Sequence, residues 1–227
     1  MHGAYMKYII ILFIIITNII YSYESKEINN FYNEYYSSSY SIKSIENNTS
    51  RTYKNIYALI KSKSITNEKE KYNYLKDAIN ANKDYTKSED IDYLISVSEL
   101  MSYIVYYSGL SEKISFGSKS KEIYKDILEK DNSNFFALLG TAIGYMHAPA
   151  IAGGSNKKAF EYFNEALDNA KEKYQKYLSY IWLSQYYFKV KDDENYNKYI
   201  EMSKEIYENG ELLKEAIERN NTKNKPL

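Results

Sequence analysis

The chain contains no cysteine, which removes disulfides, thiolate metal sites, cysteine nucleophiles and lipid attached through cysteine. Histidine occurs twice, as His2 and His147, so beyond the N-terminal stretch no two-histidine metal site or imidazole relay can be assembled. Net charge is also missing: 30 Lys+Arg balance 30 Asp+Glu, leaving no long-range field to gather nucleic acid or an anionic membrane surface. Two prolines and eight glycines in 227 residues are too few for a turn-rich β fold and suit helices with short connections, so the expected class is all-α. No G-x-S-x-G elbow, Walker loop or calcium-loop pattern occurs. The expectation is therefore a protein that is not an enzyme, with no cofactor, no metal and no nucleic-acid partner.

What is present is tyrosine, 28 of them, with abundant Ile, Asn and Lys. That composition follows from AT-rich coding, although tyrosine also serves cores and interfaces. The opening MHGAYMKYIIILFIIITNIIYSYES carries Lys7, an apolar run from Tyr8 to Ile16, and small residues near Ser22. This predicts a signal peptide over 1–22, with an uncleaved anchor or a buried helix as alternatives; Met6 is a more natural start than Met1. The run is shorter than the ~20 apolar residues a spanning helix needs. Export to a periplasm or the exterior is the implied localisation, with membrane contact only through this leader. Residues 23–50, rich in Ser, Asn and Tyr, read as a tether or a loosely packed first helix. The N-x-[ST] triplets at Asn47 and Asn220 are no more than chance expects in so Asn-rich a chain.

From Arg51 onward apolar residues recur at helical steps. Phe135, Leu138, Leu139, Ala142, Ile143 and Met146 line one side of a predicted helix, with Gly140 and Gly144 leaving room for a neighbour. Ala159, Phe163 and Ala166, with Phe160, Leu167 and Ala170, line the next. Two amphipathic helices in succession cannot hide both apolar faces alone, so other units must stack on them. The A-x3-F-x2-A spacing of Ala159, Phe163 and Ala166 resembles the second-helix signature of tetratricopeptide repeats. Equivalent slots fall on Ser120, Tyr124 and Ile127, followed by Asp131-Asn132-Ser133-Asn134, and on Tyr196, Ile200 and Ser203. The positions Ala78, Ile127, Ala166 and Ser203 are spaced 49, 39 and 37 residues apart, longer than the ideal ~34. Asn132 stands where the family has proline, and Tyr196 and Ser203 where it has small alanines. The resemblance implies an α-solenoid of antiparallel helix pairs, a right-handed superhelix, over 51–219. A capping helix with Leu212, Leu213, Ala216 and Ile217 would close it, and a disordered tail would occupy 220–227.

The segment GYMHAPAIAGGSNKKAF invites three readings. Gly153 and Gly154 could present backbone N–H groups to an anion beside Lys157 or Lys158. Alternatively Pro149, the glycines and a Ser155 or Asn156 cap build a turn, or the loop touches a partner. Against an ideal repeat, Ala159 arrives about five residues late, which marks an insertion on one edge of the stack. His147 reads as a helix C-terminal residue favoured by the dipole. The acidic runs KSEDID and KDDEN read as helix starts rather than metal ligands. Tyr180, Trp182, Tyr186, Tyr187 and Phe188 form an aromatic helix, part core and part candidate binding surface.

The functional expectation is an exported scaffold that binds a peptide or protein partner in a concave face. Tyr145, Tyr180, Trp182, Tyr187, Gly153 and Gly154 are the candidate contacts. The alternative is binding of a small apolar ligand, as an accessory protein of a solute-uptake system; it requires an enclosed pocket among Phe136, Leu139, Tyr145 and Trp182.

Overall fold

The structure, a computed structural model, describes residues 26–39 and 42–227. The expected leader over 1–22 lies outside the described residues, as do 23–25, 40 and 41. Among the described residues every regular element is a helix, as the composition implies. In chain order these are α1 (26–36), α2 (Lys43–Glu46), α3 (Arg51–Lys63), α4 (Glu68–Asn80), α5 (Ile91–Ile104), α6 (Leu110–Lys130), α7 (Phe135–His147), α8 (Asn156–Asp168), α9 (Lys173–Val190), α10 (Asp193–Tyr207) and α11 (Glu211–Lys223).

Side-chain caps set many of the starts, because the first N–H groups of a helix lack internal partners. Asn67 accepts from the amides of Lys69 and Glu70, and Asn134 from that of Ala137. Asp90 and Asp192, inside the two acidic runs, cap α5 and α10 by accepting from the amides of Tyr93 and Asn195. Glu172 and Gln175 form a reciprocal capping box at α9.

Consecutive helices pair as α3 with α4, α5 with α6, α7 with α8 and α9 with α10, and each pair packs on the next. The odd-numbered helices from α3 to α11 also touch one another in series, so they make one continuous row. The apolar stripes of α7 and α8 meet in the main core, where Leu138, Ala142, Ala159, Phe163 and Ala166 are buried. Tyr124 and Ile127 of α6 are buried in a second cluster with Leu75, Val97 and Leu100. Each fully buried large apolar side chain contributes about 1.5–3 kcal/mol. Gly140 admits a neighbour as expected, since the Tyr124 ring lies where its Cβ would be; Gly144 does not, having nothing near that position.

Two terminal expectations need correction. Within the stretch read as a tether or a loosely packed helix, α1 buries Ile28, Phe31 and Tyr32 in the main core. Tyr32 stacks on Tyr174 with ring centres 5.3 Å apart and meets Phe136 at 5.2 Å. Phe31 meets Tyr53 edge-on at 6.0 Å. The Tyr174 hydroxyl donates to Asn29 Oδ1 at 2.8 Å, and the Tyr207 hydroxyl to Asn33 Oδ1 at 2.8 Å. Helix α1 therefore lies across the row of odd helices, from α3 to α9. At the other end, the tail expected to fray after Arg219 is held. Asn220 and Gln185 exchange two buried hydrogen bonds of 2.9 and 3.0 Å, Leu227 is buried, and its amide donates to Gln185 Oε1 at 3.0 Å. A buried amide pair holds because each member satisfies the other's donor and acceptor.

Candidate functional site

The candidate contact residues separate into different environments. Tyr180 and Tyr187, two turns apart on α9, both turn toward Tyr199 of α10; Tyr187 stacks on it at 5.6 Å. They hold one helix pair together. Tyr145 stacks on Tyr162 of α8 at 5.7 Å, with the Lys121 and Lys158 ammonium groups over its ring. Phe136 contacts Tyr32 and Tyr174, whereas Trp182 contacts His147. Phe136, Leu139, Tyr145 and Trp182, the four residues proposed to enclose an apolar ligand, all belong to or pack against the main core. A recess of about 290 Å³ does lie between α1 and the first turns of α5, α7 and α9. Its wall is largely polar, including Asn29, Asp92, Asn134, Asn169 and Gln175.

The glycine loop is a turn. Gly153 adopts φ of +85°, the left-handed region that suits glycine. Its amide donates to Ala150 and that of Gly154 to Pro149, both at 3.0 Å. A Cβ on Gly154 would sit 1.8 Å from the Ala148 carbonyl oxygen. Ser155 caps α8 through the Lys158 amide, and its own amide donates to the Tyr145 carbonyl. With both glycine amides satisfied inside the loop, the donors an anion cradle requires are already used.

Trp182 belongs to a different assembly. Rings run from Tyr107 to Tyr103 (5.6 Å), Tyr103 to Tyr106 (6.3 Å), Tyr106 to His147 (6.4 Å) and His147 to Trp182 (6.1 Å). This band crosses the C-terminal ends of α5 and α7 and reaches α9. His147 as a residue is exposed, but desolvation of its imidazole by the neighbouring groups, together with the positive charges of Lys189 and Arg219, pushes its pKa down to about 4. His147 ends α7 as expected, and at neutral pH its imidazole is uncharged. Lys189 donates to the Met146 carbonyl at the end of α7.

Exposed apolar groups gather at the same end of the hairpins. Among the described residues, Tyr106, Leu110, Ile114, Ile151 and Val190 are the large hydrophobics left exposed. Tyr106, Leu110 and Ile114 lie just after α5, Ile151 lies in the loop after α7, and Val190 closes α9. Of this surface, sequence reasoning singled out Trp182 and the glycine loop but missed Tyr106, Lys189 and Arg219. Among the described residues no group of three or more His, Asp and Glu side chains could hold a metal ion, and no helix is long and apolar enough to cross a membrane.

The chain matches no protein-family model, and comparison with curated proteins and with solved structures finds no significant similarity.

Proposed function

We propose that this chain is an exported, non-enzymatic helical-repeat protein, wound as a tetratricopeptide-like right-handed superhelix, that binds a protein or peptide partner. The contact surface is the part of the odd-helix row left open by α1, with its adjoining loops. One observation carries this reading: the exposed apolar side chains concentrate beside the ring band at a single end of the hairpins. Large apolar groups exposed together mark interaction surfaces more often than the same groups scattered singly, and Trp and Tyr are frequent anchors of such contacts. The row is already packed before a partner arrives, which limits the ordering cost of binding.

A photo-cross-linking amino acid at Tyr106 or Ile151 is expected to capture one protein partner in cells that export the chain. The same probe at exposed Asn132 or Asp168, at the opposite end of the hairpins, should leave it uncaptured. Trp182→Ala should weaken that capture while leaving the helical circular dichroism intact. Equal capture from both ends, or recovery of bound lipid without any protein partner, overturns the reading.

A further inference from the structure

Three nitrogen-bearing side chains from three successive odd helices come together at the open end of the row. His147 closes α7, Lys189 lies at the end of α9, and Arg219 lies on α11. The charges acting on the imidazole are those of Lys189 and Arg219; no carboxylate acts on it. Neither cation forms an ion pair among the described residues, whereas Lys76, Arg51 and Lys204 each have a carboxylate within 3 Å. The Arg219 Nε is buried with no hydrogen-bond acceptor. A buried donor left unbonded loses its hydration without compensation, and like charges gathered without a counterion repel. An acceptor of negative charge would relieve both conditions. Beside these groups stand the Trp182 ring, perpendicular to the imidazole at 89°, and the Tyr106 ring, which is 48% exposed.

We propose that the cluster of His147, Lys189 and Arg219 is an anion subsite that receives a carboxylate from an acidic segment of the partner. Trp182 and Tyr106 cover an apolar group next to that carboxylate. This rests on the partner-binding reading and specifies its chemistry. Glu215, one turn before Arg219 and close enough to raise the pKa of Tyr103 and Tyr106, bounds the subsite and repels an acidic chain that overshoots it. Guanidinium and ammonium donors to carboxylate make charge-assisted hydrogen bonds, stronger than neutral ones. Titratable and charged groups facing the imidazole are Lys189 on α9, Arg219 on α11 and the Tyr106 phenol following α5. A bound carboxylate favours the imidazolium, so affinity rises as pH falls below the ordinary imidazole value of 6.5 toward about 4.

Trp182 is the single tryptophan, so its fluorescence reports binding to the full chain. The probe is an array of synthetic peptides pairing Glu or Asp with Leu or Phe, beside counterparts carrying Gln or Asn and counterparts carrying Lys. The acidic members are expected to bind roughly tenfold tighter than their amide counterparts. Lys189→Gln and Arg219→Gln should each remove most of that difference without changing amide-peptide binding. Circular dichroism verifies the fold of each variant, and Lys189→Gln carries the test if Arg219→Gln does not fold. The His147 proton signal should titrate at higher pH with the acidic peptide bound. Equal affinity for acidic and amide peptides, or full acidic-peptide affinity in Lys189→Gln, overturns the anion subsite and leaves the partner-binding reading standing. Failure of every peptide to bind overturns both.

Discussion

Glu99 sits half-buried on α5 between Ile95 and Tyr103, with no hydrogen bond or ion pair among the described residues, and burial pushes its carboxyl up to about 7. The folded chain thus keeps a proton that the unfolded chain releases near the ordinary value of 4.5. Its contribution is full below that value and is lost as pH rises toward 7. Glu99→Gln should raise stability by about 1–3 kcal/mol at pH near 8 and leave it unchanged near pH 4, as read by urea unfolding. His147 acts in the opposite direction. Its lowered pKa makes the unfolded chain the better proton binder between about 4 and its ordinary 6.5, so stability rises with pH across that window. The two effects separate only by comparison with the Gln variant. Glycine positions give a second contrast: Gly154→Ala should cost about 1–3 kcal/mol because the new Cβ collides with backbone. Gly144→Ala, which meets open space inside a helix, should gain up to about 1 kcal/mol.

At the level of elements, α1 is held by aromatic contacts rather than by aliphatic interdigitation. Phe31→Ala or Tyr32→Ala should cost about 3–5 kcal/mol in thermal or urea unfolding, the usual penalty for emptying a buried aromatic site. The hairpin of α7 and α8 was readable beforehand because Phe135, Leu138 and Ala142, then Ala159, Phe163 and Ala166, repeat at helical spacing between Asn134 and Ser155 caps. Helix α1 has such a stripe too, in Ile28, Phe31, Tyr32 and Tyr35, but the surrounding Ser, Asn and Tyr mask it. Its partners, Tyr53, Phe136 and Tyr174, belong to three other helices, so the packing that secures it is tertiary and has no local signature. The same reason hid most of the candidate site. Trp182 was conspicuous by type, yet Tyr106, Lys189 and Arg219 gain meaning only when α5, α9 and α11 are brought side by side. The aromatic run around it was separable only in three dimensions, where Tyr180 and Tyr187 turn to α10 and Trp182 to His147.

Across the whole molecule, helix pairs that touch mainly their neighbours would lose structure one unit at a time from the ends. Helix α1 opposes this by bonding to residues 145 and 174 positions away, joining early units to late ones. Unfolding of the intact chain should therefore follow one transition by both circular dichroism and Trp182 fluorescence. A variant lacking 26–36 should show the two probes separating. The same long span sets a timetable during synthesis. Phe31 and Tyr32 leave the ribosome long before Tyr174, which follows Asn29 by 145 residues. At ~5–20 residues per second this delay is on the order of ten seconds. Throughout that interval the aromatic side of α1 has no finished surface to cover it, and chaperones that bind exposed aromatic segments have their opening there.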